Sequence, residues 1–395
     1  MLRLFSQHST LPIMSSTNYL SLTEIRHQLH RLAEPSGAEV RTQAFLLEQL
    51  RALSPSHIET FSNSTSLLVV FDGKEPGGTL LFRGDFDAVR VEETIDVPYA
   101  SATAGVAHKC GHDGHAAILL GLARDLHQRP PMRGRVLLFF QAAEETGDGA
   151  RQLIETGVLE RYTPDRVFAL HNIPGEKLGT VLGKPGSFTC SVVSCEIVLK
   201  GRSAHAAEPL KAISPYPAAR SITDKLLLLN NYDMHKEDYR LLTLVEFRVG
   251  EEAYGVAAGD GVLRFTLRAK EDARLQQTKA ELVRIVEEEV AKTEGVSHTI
   301  SWKEYFAASN NHEEVMAQVK VAANRIGLDY KELEVPFSWG EDFGLLTQHY
   351  PGALFGLGSG LEQPSLHNPY FNFPDELLPI GVRLFRELID GILMP

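Results

Sequence analysis

Four short apolar runs constrain this chain most. Residues 66–71, 78–83, 134–140 and 166–170 are built from Leu, Val, Phe and Ala and bounded by turn residues. Strands that alternate apolar and polar positions show one face to water, whereas unbroken runs of this kind are buried on both faces, as in a sheet with helices above and below. Helical patterns at 116–126 and 149–156 fall between the runs, and two opening helices flank Pro35 and Gly37 between residues 21 and 53. The expected fold class is α/β.

The texture changes near Phe188. A strand pattern at 191–199, a helix at 217–229, strands at 241–249 and 261–269, a long helix at 273–293 and a last strand describe a small α+β sandwich. A chain of 395 residues exceeds what one core sustains, so two domains are expected: a discontinuous α/β domain at 15–187 and 307–395, and an inserted α+β domain at 188–306. The net charge of −12 without a Lys/Arg cluster argues against nucleic-acid binding. No apolar run approaches the ~20 residues of a membrane span. Three scattered cysteines make no disulfide framework and point to a reducing, cytoplasmic setting. The first sixteen residues lack a secretory pattern and read as a frayed tail, with Met14 an equally good start.

Chemistry-bearing residues gather where these runs end. Cys110 and His112, two apart on a loop entering a helix, offer a soft and a borderline metal ligand to one side. Glu144 and Glu145 follow the 134–140 run, His171 follows the 166–170 run, and Asp85 and Asp87 follow the 78–83 run. Strand ends of this kind are where α/β sheets collect their active sites. One of two adjacent glutamates can bind metal while the other holds a water, and an aspartate can orient a metal-bound imidazole from behind. His367, in a turn-rich stretch, can return a last ligand to the same rim. Taken singly, each element also has a bland reading as a buried cysteine, an acidic turn or a structural histidine.

Taken together and in this order, they resemble peptidase family M20 and its aminoacylase and amidohydrolase subgroup. The matching stretches are residues 83–88, 108–115, 143–145, 170–171, 203–209, 341–343 and 366–369 with Phe373, spanning nearly the whole chain. The resemblance implies a zinc-peptidase-like α/β catalytic domain carrying an inserted lid that pairs with its copy in a homodimer. It implies two divalent metal ions, manganese or zinc before cobalt or nickel, on Cys110, His112, Glu145, His171 and His367. Glu144 is then the general base, Asp87 joins the catalytic set and His205 in the lid reaches the substrate. The implied reaction is hydrolysis of the amide of a small N-acyl amino acid or dipeptide-like substrate.

The chain departs from the family pattern at Gly255, where many relatives place an Asn thought to help hold the substrate carboxylate. Arg268 remains as a bidentate partner for that carboxylate. Asp148 stands where relatives often carry Gly. Two rivals are a non-catalytic metal-binding dimer of the same fold and a hydrolase using Cys110 as nucleophile. Intact Glu144 and ligands weigh against the first, and three accompanying histidines with a glutamate weigh against the second.

Overall fold

The computed structural model describes residues 19–394; the two candidate start residues and the N-terminal tail lie outside the described residues. The chain opens with a helix at Leu22–Leu32, whose Ser21 and Glu24 exchange backbone and side-chain hydrogen bonds across the first turn, satisfying donors a helix start otherwise leaves free. A second helix, Val40–Arg51, follows the break at Pro35.

The four apolar runs are the centre of an eight-stranded sheet. Its order is His57–Phe61, Ser64–Asp72, Arg133–Gln141, Glu75–Asp85, Arg166–Ile173, Gly352–Gly358, Val181–Gly183 and Tyr330–Glu332. The strands Arg133–Gln141, Glu75–Asp85, Arg166–Ile173 and Gly352–Gly358 run parallel to one another, so their carboxyl ends share one edge. Successive residues serve opposite faces. Leu67, Val69, Leu80, Phe82, Val136 and Leu138 meet the helices His112–Gln128 and Leu377–Leu393 in one core. Leu68, Val70, Leu81, Leu137 and Phe139 join Leu153 and Leu346 in another on the far face. The two-period pleat thus explains why each run is continuously apolar.

The inserted segment forms a four-stranded antiparallel sheet in the order Arg240–Val249, Asp260–Ala269, Ser191–Lys200, Ser297–Phe306. Helices Tyr216–Leu227 and Asp272–Val290 cover one face through a core of their own. The other face carries charged residues in contact with solvent, among them Glu196, Glu246 and Arg264. The molecule is therefore an α/β protein with an α+β sandwich inserted into it, in the element order the sequence pattern predicts.

Candidate active site

Strand register brings the chemistry-bearing residues level. Asp85 pairs with Gln141 and His171 with Gly356, so Asp85, the Ala143–Glu145 turn and His171 emerge from one edge. At that turn the backbone enters the left-handed region at Ala143, with φ of 53°, a conformation costing a non-glycine residue about 1–2 kcal/mol. Its amide donates to the Glu39 carboxylate at 2.9 Å. Its carbonyl accepts from the amides of Asp148 and Gly149, each at 3.1 Å. These bonds hold the turn, and the turn delivers Glu144 and Glu145 to the rim.

His112 is the first residue of the helix His112–Gln128, preceded by Gly111 at φ 97°. A Cβ at Gly111 would lie 2.3 Å from the Asn172 amide oxygen, so only glycine fits there. Far along the chain, His367 also has positive φ, 62°, and its amide donates to the Lys109 carbonyl at 2.8 Å. That bond ties the last candidate ligand to the loop bearing Cys110.

Five donors converge. Cys110, His112 and His171 place one donor atom each within 4.8 Å of one another, and so do Cys110, Glu145 and His367. The two groups share Cys110. The Cys110 Sγ lies 3.5 Å from His171 Nε2, and Glu145 Oε1 lies 3.3 Å from His367 Nε2 and 3.7 Å from His112 Nε2. His171 donates Nδ1–H to the Asn172 carbonyl at 2.9 Å, and His112 turns Nδ1 to Asp87. Both rings therefore present Nε2 as the free ligand nitrogen.

Two observations test whether cations fit. Buried His112 Nε2 and Glu145 Oε1 have no hydrogen-bond partner, although buried polar atoms are nearly always paired. Anionic groups also accumulate beyond what the local cations balance. Burial, Glu145 and Glu144 push the Cys110 thiol well up, and burial with Glu341 and Glu145 pushes Glu144 well up. Burial alone would lower His112, yet Asp85 and Asp87 overcome it and raise that imidazole to about 10. Positive charge is what this cluster calls for, and divalent ions supply it. A nucleophilic cysteine needs the reverse environment, one that lowers its pKa, so the Cys110 thiol surroundings disfavour that rival.

Four of the donors, Cys110, Glu145, His171 and His367, line one cavity of about 400 Å³ with Glu144, Ile173, Pro174, Phe337, Trp339, Glu341 and Leu366. Asp87 stands behind it. Its carboxylate receives His112 Nδ1 at 3.1 Å, the Glu145 amide at 3.0 Å and the Ser36 hydroxyl at 2.7 Å, which makes it a positioning residue. Asp85 does the same for His115, whose Nε2 accepts from the Asn172 amide while Nδ1 donates to Asp85 at 2.6 Å. The structure does not bring His205 to this cavity: it sits exposed in the short strand Ala204–His205 of the inserted segment. Arg268 likewise stays off the lining, donating to the Ser338 carbonyl at 3.0 Å.

Sequence reasoning gave no role to Arg83 or Asp342, yet both hold the site from below. Fully buried Arg83 pairs with Asp85, with Glu341 at 2.7 Å and with Asp342 at 3.2 Å, and donates to Gln141 at 2.9 Å. The Asp342 amide reaches Glu144 Oε1 at 3.3 Å. The signals for these residues are an arginine inside an otherwise apolar run and the family-like stretches 83–88 and 341–343, neither of which pairs one with the other. Trp339 and Phe337 in the cavity wall carried no signal at all.

Residues 81–391 match the model of peptidase family M20/M25/M40. An N-acetyldiaminopimelate deacetylase of Exiguobacterium sibiricum is 30% identical over 93% of this chain and 99% of its own. An N-acetylcysteine deacetylase of Bacillus subtilis is 30% identical over 93% and 95%. Among solved structures, a dinuclear metal-binding M20 peptidase of Bacillus subtilis superposes with a TM-score of 0.79 at 27% identity, covering 94% of this chain and 97% of that one. With a match over most of its length and the ligand cluster in place, the chain belongs to peptidase family M20/M25/M40 and is a hydrolase of amide bonds.

Proposed function

We propose that this protein hydrolyses the amide of small N-acyl amino acids at a centre of two divalent ions, manganese or zinc, held by Cys110, His112, Glu145, His171 and His367. The observation that carries this reading is the pair of orphaned, buried donors, His112 Nε2 and Glu145 Oε1, converging with three further ligands beside Glu144. Bound divalent ions supply Lewis acidity, polarising the amide carbonyl and lowering the pKa of a water.

Glu144 takes the proton of the attacking water and then delivers it to the leaving amine. Burial and the carboxylates of Glu341 and Glu145 raise its pKa, which suits a group that must accept and return a proton near neutrality. Asp87 and Asp85 keep the imidazoles turned, and Arg83 anchors Asp85, Glu341 and Asp342 beneath them.

The segment 188–306 acts in this reading as a lid and dimer domain. The strand Arg240–Val249 is the edge of its sheet and leaves Val245 and Phe247 exposed, as an unpaired edge awaiting a partner would. A second copy placed there lets the exposed His205 serve the partner's cavity, where it steadies the developing oxyanion. Arg268 is the candidate contact for the substrate carboxylate. We place the protein in a reducing cytoplasm, a setting suited to three free, buried cysteines; no helix among the described residues is long and apolar enough to cross a membrane.

The test is amide hydrolysis across N-acetyl, N-benzoyl and indole-acyl amino acids by metal-stripped protein reloaded with manganese or zinc, with metal content measured alongside. Metal-dependent turnover of any member supports the reading. Two bound ions without turnover indicate a binding role, and no bound metal removes the reading altogether.

A further inference from the structure

The cavity beside the ligand cluster has two unlike sides. One is Cys110, Glu145, His171 and His367 with Glu144. The other is a wall of Ile173, Pro174, Phe337, Trp339 and Leu366, apolar and partly aromatic. Trp339 joins the two sides. Its indole lies parallel to the Phe337 ring, with centroids 5.1 Å apart and planes 24° from each other, and it meets His171 at 5.1 Å and 45°. Phe337 in turn abuts Phe188 at the root of the inserted segment, so the indole is backed by packed rings and keeps its orientation.

Among the described residues no Lys or Arg lines this cavity. Its one further carboxylate, Glu341, is already engaged by Arg83 at 2.7 Å. A substrate arm ending in an ammonium or a carboxylate would lose its hydration against this wall without gaining a counter-ion, which is unfavourable. A flat apolar group gains contact area and a ring-on-ring geometry. The volume of about 400 Å³ falls in the range of small-molecule sites and far exceeds what an acetyl group fills.

We propose that Trp339 is a specificity-determining residue, selecting substrates that carry an uncharged ring beside the scissile amide over acetylated amino acids with small or charged side chains. This rests on the amidohydrolase reading above and adds the substrate class to it. The ring can belong to the acyl group or to the amino acid, and the two sources separate in the test.

The experiment compares kcat/KM of the manganese-loaded protein for N-acetylalanine, N-benzoylalanine, N-acetylphenylalanine and N-acetyllysine. One or both ring-bearing substrates exceed N-acetylalanine by about ten-fold or more, the gain expected from burying a ring, and N-acetyllysine shows no gain. Preference for the benzoyl substrate places the ring on the acyl side, and preference for the phenylalanine substrate places it on the amine side. Trp339→Ala lowers the ring-to-no-ring ratio about ten-fold, whereas Trp339→Phe, which keeps a ring, retains most of it. The ratio is internal to each variant, so a general loss through His171 does not mimic the result.

A second readout is independent of turnover. The chain has two tryptophans, and Trp302→Phe leaves Trp339 as the sole indole. Red-edge excitation of this variant reports a saturable change in emission with benzoate or phenylalanine and none with acetate or alanine. Equal ratios in Trp339→Ala and the parent protein, or an indole blind to both ring ligands, would overturn the proposal. No turnover of any of the four substrates would overturn the amidohydrolase reading, and the emission titration would still decide what the wall binds.

Discussion

The two sheets of this molecule use the same chemical device to opposite ends. At the carboxyl edge of the large sheet, Arg83 sits among Asp85, Glu341 and Asp342 with every side chain at 0–1% exposure. On the open face of the inserted sheet, Arg264 sits between Glu196 and Glu246 in contact with solvent. The second cluster is a cross-strand pairing that water screens. The first has no water to share its charges, so each member depends on the others. A protein keeps such a buried charge set where something is to be positioned, and here the positioned groups are His115 behind the ligands and Glu144 through the Asp342 amide.

The largest expected effect falls on that edge. Glu144→Gln removes the proton carrier and keeps the shape, so kcat drops by about 10²–10⁴-fold while the metal content of the folded protein stays unchanged. Glu196→Gln, the same chemical change on the open face of the inserted sheet, leaves kcat as it was. Parallel kinetics and metal analysis on the two variants check this. Full turnover in Glu144→Gln would remove the assigned base.

Next in size is the buried arginine itself. Arg83→Met leaves three buried carboxylates without their cation and lowers stability by about 3–5 kcal/mol, whereas Arg264→Met shifts the thermal midpoint little. Denaturant or thermal unfolding of both metal-free variants measures the gap. If the two midpoints moved alike, burial would not be what separates the clusters.

How much of this the sequence disclosed follows from the range of each interaction. Continuous apolar runs marked the central strands because both faces of those strands are buried within the strand's own residues. The strand Gly352–Gly358 sits equally deep but was not singled out. Its glycines dilute the apolar signal, and Gly356 is small because a Cβ there would lie 2.7 Å from Ile173. The candidate ligands and Glu144 stand at strand and loop ends within short motifs, where a local reading can single them out. Arg83 meets Glu341 across 258 positions, and no spacing in the chain announces such a contact. Trp339 escaped for a different reason: an aromatic residue in a loop ordinarily marks packing, and only the folded cavity shows which way it faces. His205 and Arg268 are the converse case, expected at the site and found elsewhere in the single chain.

A smaller effect probes the groups behind the ligands. Asp87 holds His112 and the Glu145 amide at once, so Asp87→Asn weakens metal binding by about 10–100-fold while Glu144 remains available. Competition with a chelator of known affinity gives the number. Unchanged affinity would mean that the backbone carbonyl of Asp87, which also lies 3.0 Å from His112 Nδ1, suffices to orient the ring.

The smallest effect belongs to the inserted segment and sharpens the contrast in a different variable, pH. Hydrogen bonds from Lys225, Lys292 and Ser221 lower Glu289 to about 2, linking the helix Asp272–Val290 to the helix Tyr216–Leu227. A carboxylate depressed in the folded state stabilises it above its unfolded pKa of about 4.3, and that contribution fades as pH falls toward 2. Glu289→Gln lacks the contribution at every pH. Its thermal midpoint should therefore lie modestly below that of the parent protein at pH 6–7 and converge with it in acid, with salt narrowing the difference further because the partner lysines are exposed. A gap that persisted unchanged to pH 3 would place the role of Glu289 in packing. The two helices would then be held together by apolar contact, which neither protons nor salt can loosen.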